Sequence, residues 1–450
     1  MRIVDWNTLD KPARQAALAR PQLKLRAEVV SGAGEIIERV RQDGDAALRA
    51  FTQRFDGAEI KSLAVDRNEF AEARRALTNR QIAALERAVA NAQRFHELQV
   101  PKALAVEVEH GVRCEQLVRA IASVGLYAPG GTAPLPSTVI MLAVPARIAG
   151  CAQRALCTPS RRDGTVHPAV LVAAQLCGIS TVFKVGGAQA IAALAYGTES
   201  VPKADKIFGP GNNWVTAAKQ LVANDPQGAA CDLPAGPSEV LVVADERARA
   251  EFVAADLLAQ AEHDVLAQAI LVTDSRPLAE AVVRQIRKQR QVLSRGTILT
   301  QSLVACRAIL VSDLDTALQV ANEYAPEHLM LHVHEPRRWL AHVQNAGSVF
   351  LGPWSPEPLG DYCSGTNHVL PTYGHARTFS GLSVRDFVKT IAVQEISSEG
   401  LVALGPTAVT LAELEGLDAH ASAVTRRLVA LTNEGIAAAV TAVAGVGASQ

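Results

Sequence analysis

The sequence predicts an α/β protein made of two doubly wound parallel-sheet domains with small terminal extensions, mainly helical at the C-terminus. Two observations carry this reading. From Ile121 onward, short β-rich runs alternate with Gly-initiated, Ala-rich helical runs, which is the pattern of βα units on a parallel sheet. The alternation starts afresh at AGPSEVLVVAD (235–245), so one chain carries two similar series. A length of 450 residues is enough for two core-forming domains.

Residues 1 to about 25 are polar and punctuated by Arg and Lys, and read as an extension. Two long helical patterns follow, about 29–55 and 68–98, with Ala, Leu and Val at three- and four-residue intervals. The first βα series comprises ASVGLYAPGG (122–131) and a helix through Met141, then RALCTP (154–159) and a helix near 170–175. TVFKVGG (181–187) leads into AQAIAALAYG, and DKIFGPG (205–211) into a helix from about Asn213. In the second series the strands fall at 239–244, 268–273, 307–311, 329–333 and 347–351. From about Leu382 the alternation stops and the chain reads as helical.

Composition narrows the function. Net charge is −1, from 44 basic and 45 acidic residues, so the surplus of Lys and Arg that nucleic acid or an anionic membrane would require is missing. The start, MRIVDWNTLD, lacks the basic and apolar regions of a signal peptide, and the most apolar stretches are too short to span a bilayer. A cytoplasmic protein is expected. Seven cysteines, an odd number without a C-x-x-C pair, read as free thiols in a reducing compartment.

Three Gly-containing turns join strand to helix: Pro129-Gly130-Gly131, Gly186-Gly187 and Gly209-Pro210-Gly211. Such turns let backbone N–H groups at a helix start approach a phosphate. None completes G-x-G-x-x-G, since Trp214 stands at the last position of the third. Each alone reads better as an ordinary tight βα turn, and it is the three together that point to a phosphate-bearing ligand.

Four polar stretches interrupt the apolar texture. Gln260 and His263 in LAQAEH are three residues apart, one face of a helix, and can share a metal. Glu327 and His328 in YAPEHL enter an apolar run and can divide general-base work near neutral pH. Adjacent residues on a strand face opposite ways, so both serve one site only on an irregular turn. GDYCSGTNH (360–368) is a loop dense in small and polar residues, where Asp361 can complete a metal site and His368 can be a ligand-binding or a satisfied loop histidine. Glu415 and His420 flank Gly416 near the C-terminus, where the glycine predicts a break between two helices.

Taken together these segments resemble the histidinol dehydrogenase family. The resemblance rests on GLYAPGGTAPLPSTVIMLAVPA (125–146), VGGAQAIAALAYGTESVPKADKIFGPGN (185–212), LPAGPSEVLVVAD (233–245), LLAQAEH (257–263), NEYAPEHL (322–329), LGPWSPEPLGDYCSGTNHVLPT (351–372), VQEISSEGL (393–401) and EGLDAH (415–420). It implies two incomplete Rossmann-like domains and two small terminal ones: an N-terminal extension over 1–25, a discontinuous first domain over 26–124 and 238–381, an NAD-binding domain over 125–237, and a C-terminal helical domain over 382–450 that contributes to a partner's site. It implies a homodimer with shared sites and one Zn2+ per subunit, held by Gln260, His263, Asp361 and His420. Ser238, Gln260, His263, His328, Asp361, His368, Glu415 and His420 match positions that bind the substrate, L-histidinol. Tyr127, Gln189 and Asn212 match positions that contact NAD+, and Glu327 and His328 match the catalytic pair. The chain departs from the family pattern at Asp264, where Gly is common, and at the bulky Asn213-Trp214 pair.

The chemistry the resemblance implies is a four-electron oxidation through an aldehyde, with His328 as base and Glu327 activating water. Rival readings are a relative acting on another small polar alcohol, a zinc hydrolase driven by Glu327, a non-catalytic nucleotide-binding module, and aldehyde oxidation through a thiohemiacetal at Cys151 or Cys363.

Overall fold

Both βα series fold into parallel sheets with the same strand order. The computed structural model describes residues 1–21, 27–130, 134–234 and 236–446, with side chains to residue 434; Gly131 of the first glycine turn and Ala235 at the head of the second series lie outside them. With strands numbered along the chain, one sheet runs β6 (Thr181–Lys184), β5 (Gln153–Thr158), β4 (Ser123–Tyr127), β7 (Lys206–Phe208), β8 (Ala230–Cys231). The other runs β1 (Arg2–Asp5), β11 (Arg307–Leu310), β10 (Gln268–Thr273), β9 (Glu239–Ala244), β12 (His328–His332), β13 (Ser348–Leu351). Counted from β4 and from β9, each series has the order 3-2-1-4-5, which reverses between its first and fourth strands and opens a crevice at that switch point.

Parallel sheets are covered on both faces, so their strands read as continuous apolar runs. Every residue of β9, EVLVVA, is buried. Its side chains alternate between two cores: Val240 and Val242 pack with the helices Ala250–Ala261 and Arg276–Gln289, and Leu241 and Val243 with the helix Leu314–Tyr324.

The N-terminal third differs from expectation in three ways. Residues 2–5 form an edge strand of the six-stranded sheet, with Ile3 in register with Ala308. The helical pattern 68–98 is two helices, Arg67–Ala76 and Asn79–Glu97, because Thr78 caps the second with a reciprocal Thr78–Gln81 capping box. Finally, Ala33, Ile37 and Leu48 of the helix Ala27–Asp56 join the core on one side of the five-stranded sheet, and Ala73, Val89 and Ala92 the core on the other, while Asn91 and His96 hydrogen-bond to the loop at Cys363 and Asn367. The five-stranded sheet carries its own helices, Pro136–Ala149 and Pro168–Leu176 on one face and Gly187–Tyr196 and Asn213–Asn224 on the other, and residues 27–97 cover the apolar surface those helices leave.

All of this lies in one unit, Met1–Val100 with Ala120–Phe387; the second is Pro101–Arg119 with Val388–Gln450. The second unit is not purely helical. It holds a three-stranded sheet, ordered β14 (Val388–Ile396), β3 (Val112–Ala120), β2 (Leu104–Glu109), and the helices Ser398–Leu414 and Asp418–Val446. The β2–β3 pair is antiparallel, and its alternation in LAVEVE-HG-VRCEQLV was legible but shorter than the helical windows around it. Among the described residues no helix is long and apolar enough to cross a membrane.

Candidate active site

Glu327 and His328 meet because the chain enters β12 through an irregular turn. Ala325 takes a left-handed conformation (φ 52°) after the helix Leu314–Tyr324, Pro326 follows, and strand pairing begins only at His328. Glu327 therefore stands outside the pleat, and its Oε2 lies 3.6 Å from His328 Nδ1. Both side chains are buried. The backbone N–H of Glu239, the first residue of β9, donates to Glu327 Oε2 at 2.7 Å, and the Glu239 carbonyl lies 3.1 Å from His328 Nδ1. If Nδ1 carries the proton, that carbonyl accepts it and Nε2 is left as the basic nitrogen. His328 Nε2 has no hydrogen-bond partner among the described residues.

Burial pushes the Glu327 carboxyl up to about 8, against the opposing pull of His328 and the Glu239 N–H. Burial lowers His328, but Glu327, Asp361 and Glu357 outweigh it and lift the imidazole to about 10.

Asp361 faces the same imidazole, with Oδ1 3.7 Å from His328 Nε2. It rides on the short helix Glu357–Tyr362. That helix packs closely because a Cβ on Gly360 would come within 2.6 Å of the Phe350 ring of β13. Asp361, Glu357 and His263 have ligand atoms all within 4.8 Å of one another. His263 lies in the turn beyond the helix Ala250–Ala261, not within it, and its amide donates to the Gln260 carbonyl at 3.2 Å. Burial holds His263 below its ordinary value, which favours the neutral imidazole that a metal takes. Gln260 is fully buried, yet among the described residues neither its Oε1 nor its Nε2 has a hydrogen-bond partner, and Glu357 Oε1 likewise has none. Each such orphan costs about 1–3 kcal/mol, so these donors fit a bound cation and a polar ligand. Ser238 precedes Glu239 and is half-buried.

Of the expected residues, His368 is brought in by its loop: its Nδ1 lies 2.8 Å from the Asp361 carbonyl and its Nε2 3.4 Å from Thr138 Oγ1. Thr138 sits in the first turn of the helix Pro136–Ala149, which follows β4. Glu415 and His420 lie in the second unit, both exposed, around the break between its helices. Glu357 was missed at the sequence level, although Glu357 and Asp361 share the four-residue spacing of one helix face.

The three positions matched to NAD+ lie beyond strand ends at and beside the first switch point. Tyr127 ends β4, and its hydroxyl accepts from the Gly187 N–H at 3.1 Å. Gln189 is buried in the first turn of the helix Gly187–Tyr196, after β6. Asn212 follows β7 and caps the helix Asn213–Asn224, accepting from the N–H groups of Trp214 and Val215 at 3.0 and 3.2 Å. Gly209 has φ 130°, and a Cβ there would lie 2.0 Å from the Tyr127 carbonyl oxygen, so close packing of β4 and β7 already requires this glycine. Of the departures, Asp264 accepts from the Leu266 N–H in a tight turn, and the Trp214 ring lies where a Cβ on Gly32 would be, 2.8 Å away.

All seven cysteines are free thiols. Burial pushes Cys151 up to about 11, which removes the thiolate that a thiohemiacetal mechanism needs.

A buried carboxylate–imidazole pair beside side chains able to hold a cation is an arrangement suited to acid–base chemistry. The family model described as histidinol dehydrogenase matches residues 18–428. The chain is 54% identical to a histidinol dehydrogenase of Xanthomonas oryzae pv. oryzae over 95% of this chain and 99% of that one. It is 51% identical to one of Vibrio vulnificus over 96% and 99%. The crystal structure of histidinol dehydrogenase from Elizabethkingia anophelis superposes with a TM-score of 0.93 at 41% identity, covering 96% and 99% of the two chains. The chain belongs to the histidinol dehydrogenase family, oxidoreductases of histidine biosynthesis that act on an alcohol and an aldehyde.

Proposed function

We propose that this chain oxidises L-histidinol to L-histidine through L-histidinaldehyde, reducing two NAD+, with one Zn2+ per subunit. The observation that carries this reading is the buried Glu327–His328 pair, with the unpaired His328 Nε2 facing Asp361. Gln260, His263 and Asp361 would hold the metal, with His420 from a neighbouring subunit; Glu357 lies beside them. A Zn2+ held there would supply a positive charge to anchor the polar substrate and to offset the carboxylates that raise His328. Tyr127, Gln189 and Asn212 would hold NAD+, which would supply the hydride acceptor for each oxidation.

The residues of the chain do the rest. His328 Nε2 takes the alcohol proton in the first oxidation. Glu327 then removes a proton from water as it adds to the aldehyde, and His328 serves again as base for the second oxidation. Ser238, His368 and the partner's Glu415 orient the polar substrate.

Exposed apolar side chains on the second unit support a homodimer: Leu104, Val106 and Val108 on β2, and Leu411, Leu414 and Leu417 around the helix break next to Glu415. The expected cytoplasmic location agrees with a biosynthetic role.

The test is the NADH formed from a limiting, known amount of L-histidinol with zinc present. Two equivalents are expected; one would mean an enzyme that stops at the aldehyde, and none would move the substrate assignment elsewhere.

A further inference from the structure

We propose that Arg20 and Glu239 form a positioning pair that holds both catalytic groups in register, a role resting on the assignment of Glu327 and His328 above. Among the described residues, Glu239 alone hydrogen-bonds both side chains. Its N–H holds Glu327 Oε2 at 2.7 Å, and its carbonyl lies 3.1 Å from His328 Nδ1. The backbone of Glu239, through the peptide on either side of its Cα, therefore sets the Glu327 carboxylate and, through the Nδ1 contact, the direction of His328 Nε2.

The Glu239 side chain, 2% exposed, is gripped on both oxygens. Arg20 Nε donates to Oε1 at 2.5 Å and Nη2 to Oε2 at 2.9 Å, a fork-on-fork pair. The Tyr373 N–H adds a second donor to Oε1 at 2.9 Å. The same guanidinium holds the other approach to the dyad. Arg20 Nη2 donates to the Tyr324 carbonyl at 2.7 Å and reaches the Ala325 carbonyl at 3.4 Å, and the guanidinium lies 3.9 Å over the Tyr324 ring. Tyr324 and Ala325 form the turn that delivers Glu327. One cation thus ties the start of β9 to the entry of β12.

Backbone strain marks the same place. Only Ala325, Glu335 and Tyr373 among the described non-glycine residues have positive φ, and two of these three contact the Arg20–Glu239 pair. Left-handed residues persist where their surroundings over-determine them, and they cluster at functional sites. A buried ion pair is weak evidence for stability as such, because desolvation offsets its attraction; here the attraction is directed at the geometry of the base.

The test compares Arg20→Met, Arg20→Lys and Glu327→Gln, alone and combined, as zinc-loaded full-length protein. The rates and KM of histidinol and histidinaldehyde oxidation are read separately, with zinc content and Tm. Arg20→Met is expected to lower kcat roughly 10- to 100-fold, as expected when a reacting group is mispositioned by a fraction of an ångström to an ångström. KM for histidinol should stay within about threefold, and Arg20→Lys, which keeps the charge but not the fork, should fall between. In the Glu327→Gln background, Arg20→Met should cost the aldehyde step much less than it does alone, since groups acting as a unit are not additive. Unchanged kcat in folded Arg20 variants, or full additivity with Glu327→Gln, would overturn the inference. Should Arg20→Met not fold, Arg20→Lys decides by the same criteria. A Glu327→Gln protein that keeps both oxidations would instead sink the catalytic assignment, leaving a distinguishable result.

Discussion

Asp361 Oδ1 lies 3.7 Å from His328 Nε2, so a proposed metal ligand and the proposed base share one pocket. Without a cation, three carboxyls surround one imidazole and raise it from 6.5 to about 10. A group whose folded value is raised contributes stability that is present below its unfolded value and lost as pH rises through the folded one. Glu327, raised from 4.5 to about 8, acts in the same sense. Chelator-stripped protein should therefore lose Tm as pH rises from about 6.5 toward 10. Zinc-loaded protein should lose less, because the metal takes over the charge-balancing role of the proton. A stripped protein that gains Tm over that window would contradict this electrostatic account.

Replacing Glu327 with Gln keeps the shape and an acceptor for the Glu239 N–H but removes the base for water. The first oxidation should survive better than the second, by roughly 10- to 100-fold in relative rate, within the usual contribution of a general base. NADH per histidinol should fall from two toward one, with aldehyde accumulating. Equal loss in both steps would count against the water-activating role.

Asn212 has two separable jobs, a helix cap and a proposed NAD+ contact. Asn212→Ala should cost about 1 kcal/mol of stability through the lost cap and raise KM for NAD+. Asn212→Ser should restore most of the stability, because a hydroxyl caps as well, while KM stays raised. If Asn212→Ser also restores KM, the amide has no part in nucleotide binding and only the cap matters.

If sites are shared between subunits, His420→Asn and Glu327→Gln proteins should complement each other. Each alone should be deficient in the overall reaction. Mixed, unfolded and refolded together, they should regain activity, because a hybrid dimer would contain one site with neither substitution. No recovery from refolded, dimeric mixtures would place His420 and Glu327 in the same subunit's site.

Much of the fold was legible because parallel strands buried on both faces are continuous apolar runs. EVLVVA, QAILVT and HLMLH announce β9, β10 and β12 almost to the residue. The break at Thr78 was also written in the chain, as a capping box, but uninterrupted apolar spacing on either side masked it. Gln260, His263, Asp361, Glu327 and His328 were readable as polar intrusions into apolar texture, and the resemblance organised them into one site.

What the sequence determined by itself is local: strand and helix periods, turn residues, and the residue types that acid–base and metal chemistry require. Only the tertiary structure decided which faces meet. It placed residues 27–97 over the helices that flank the five-stranded sheet, because those helices had apolar surface left to cover. It put Glu357 beside Asp361 and joined Arg20 to Glu239 across 219 positions of chain. Such contacts leave no periodic trace, since their energy comes from groups adjacent in space and far apart along the backbone.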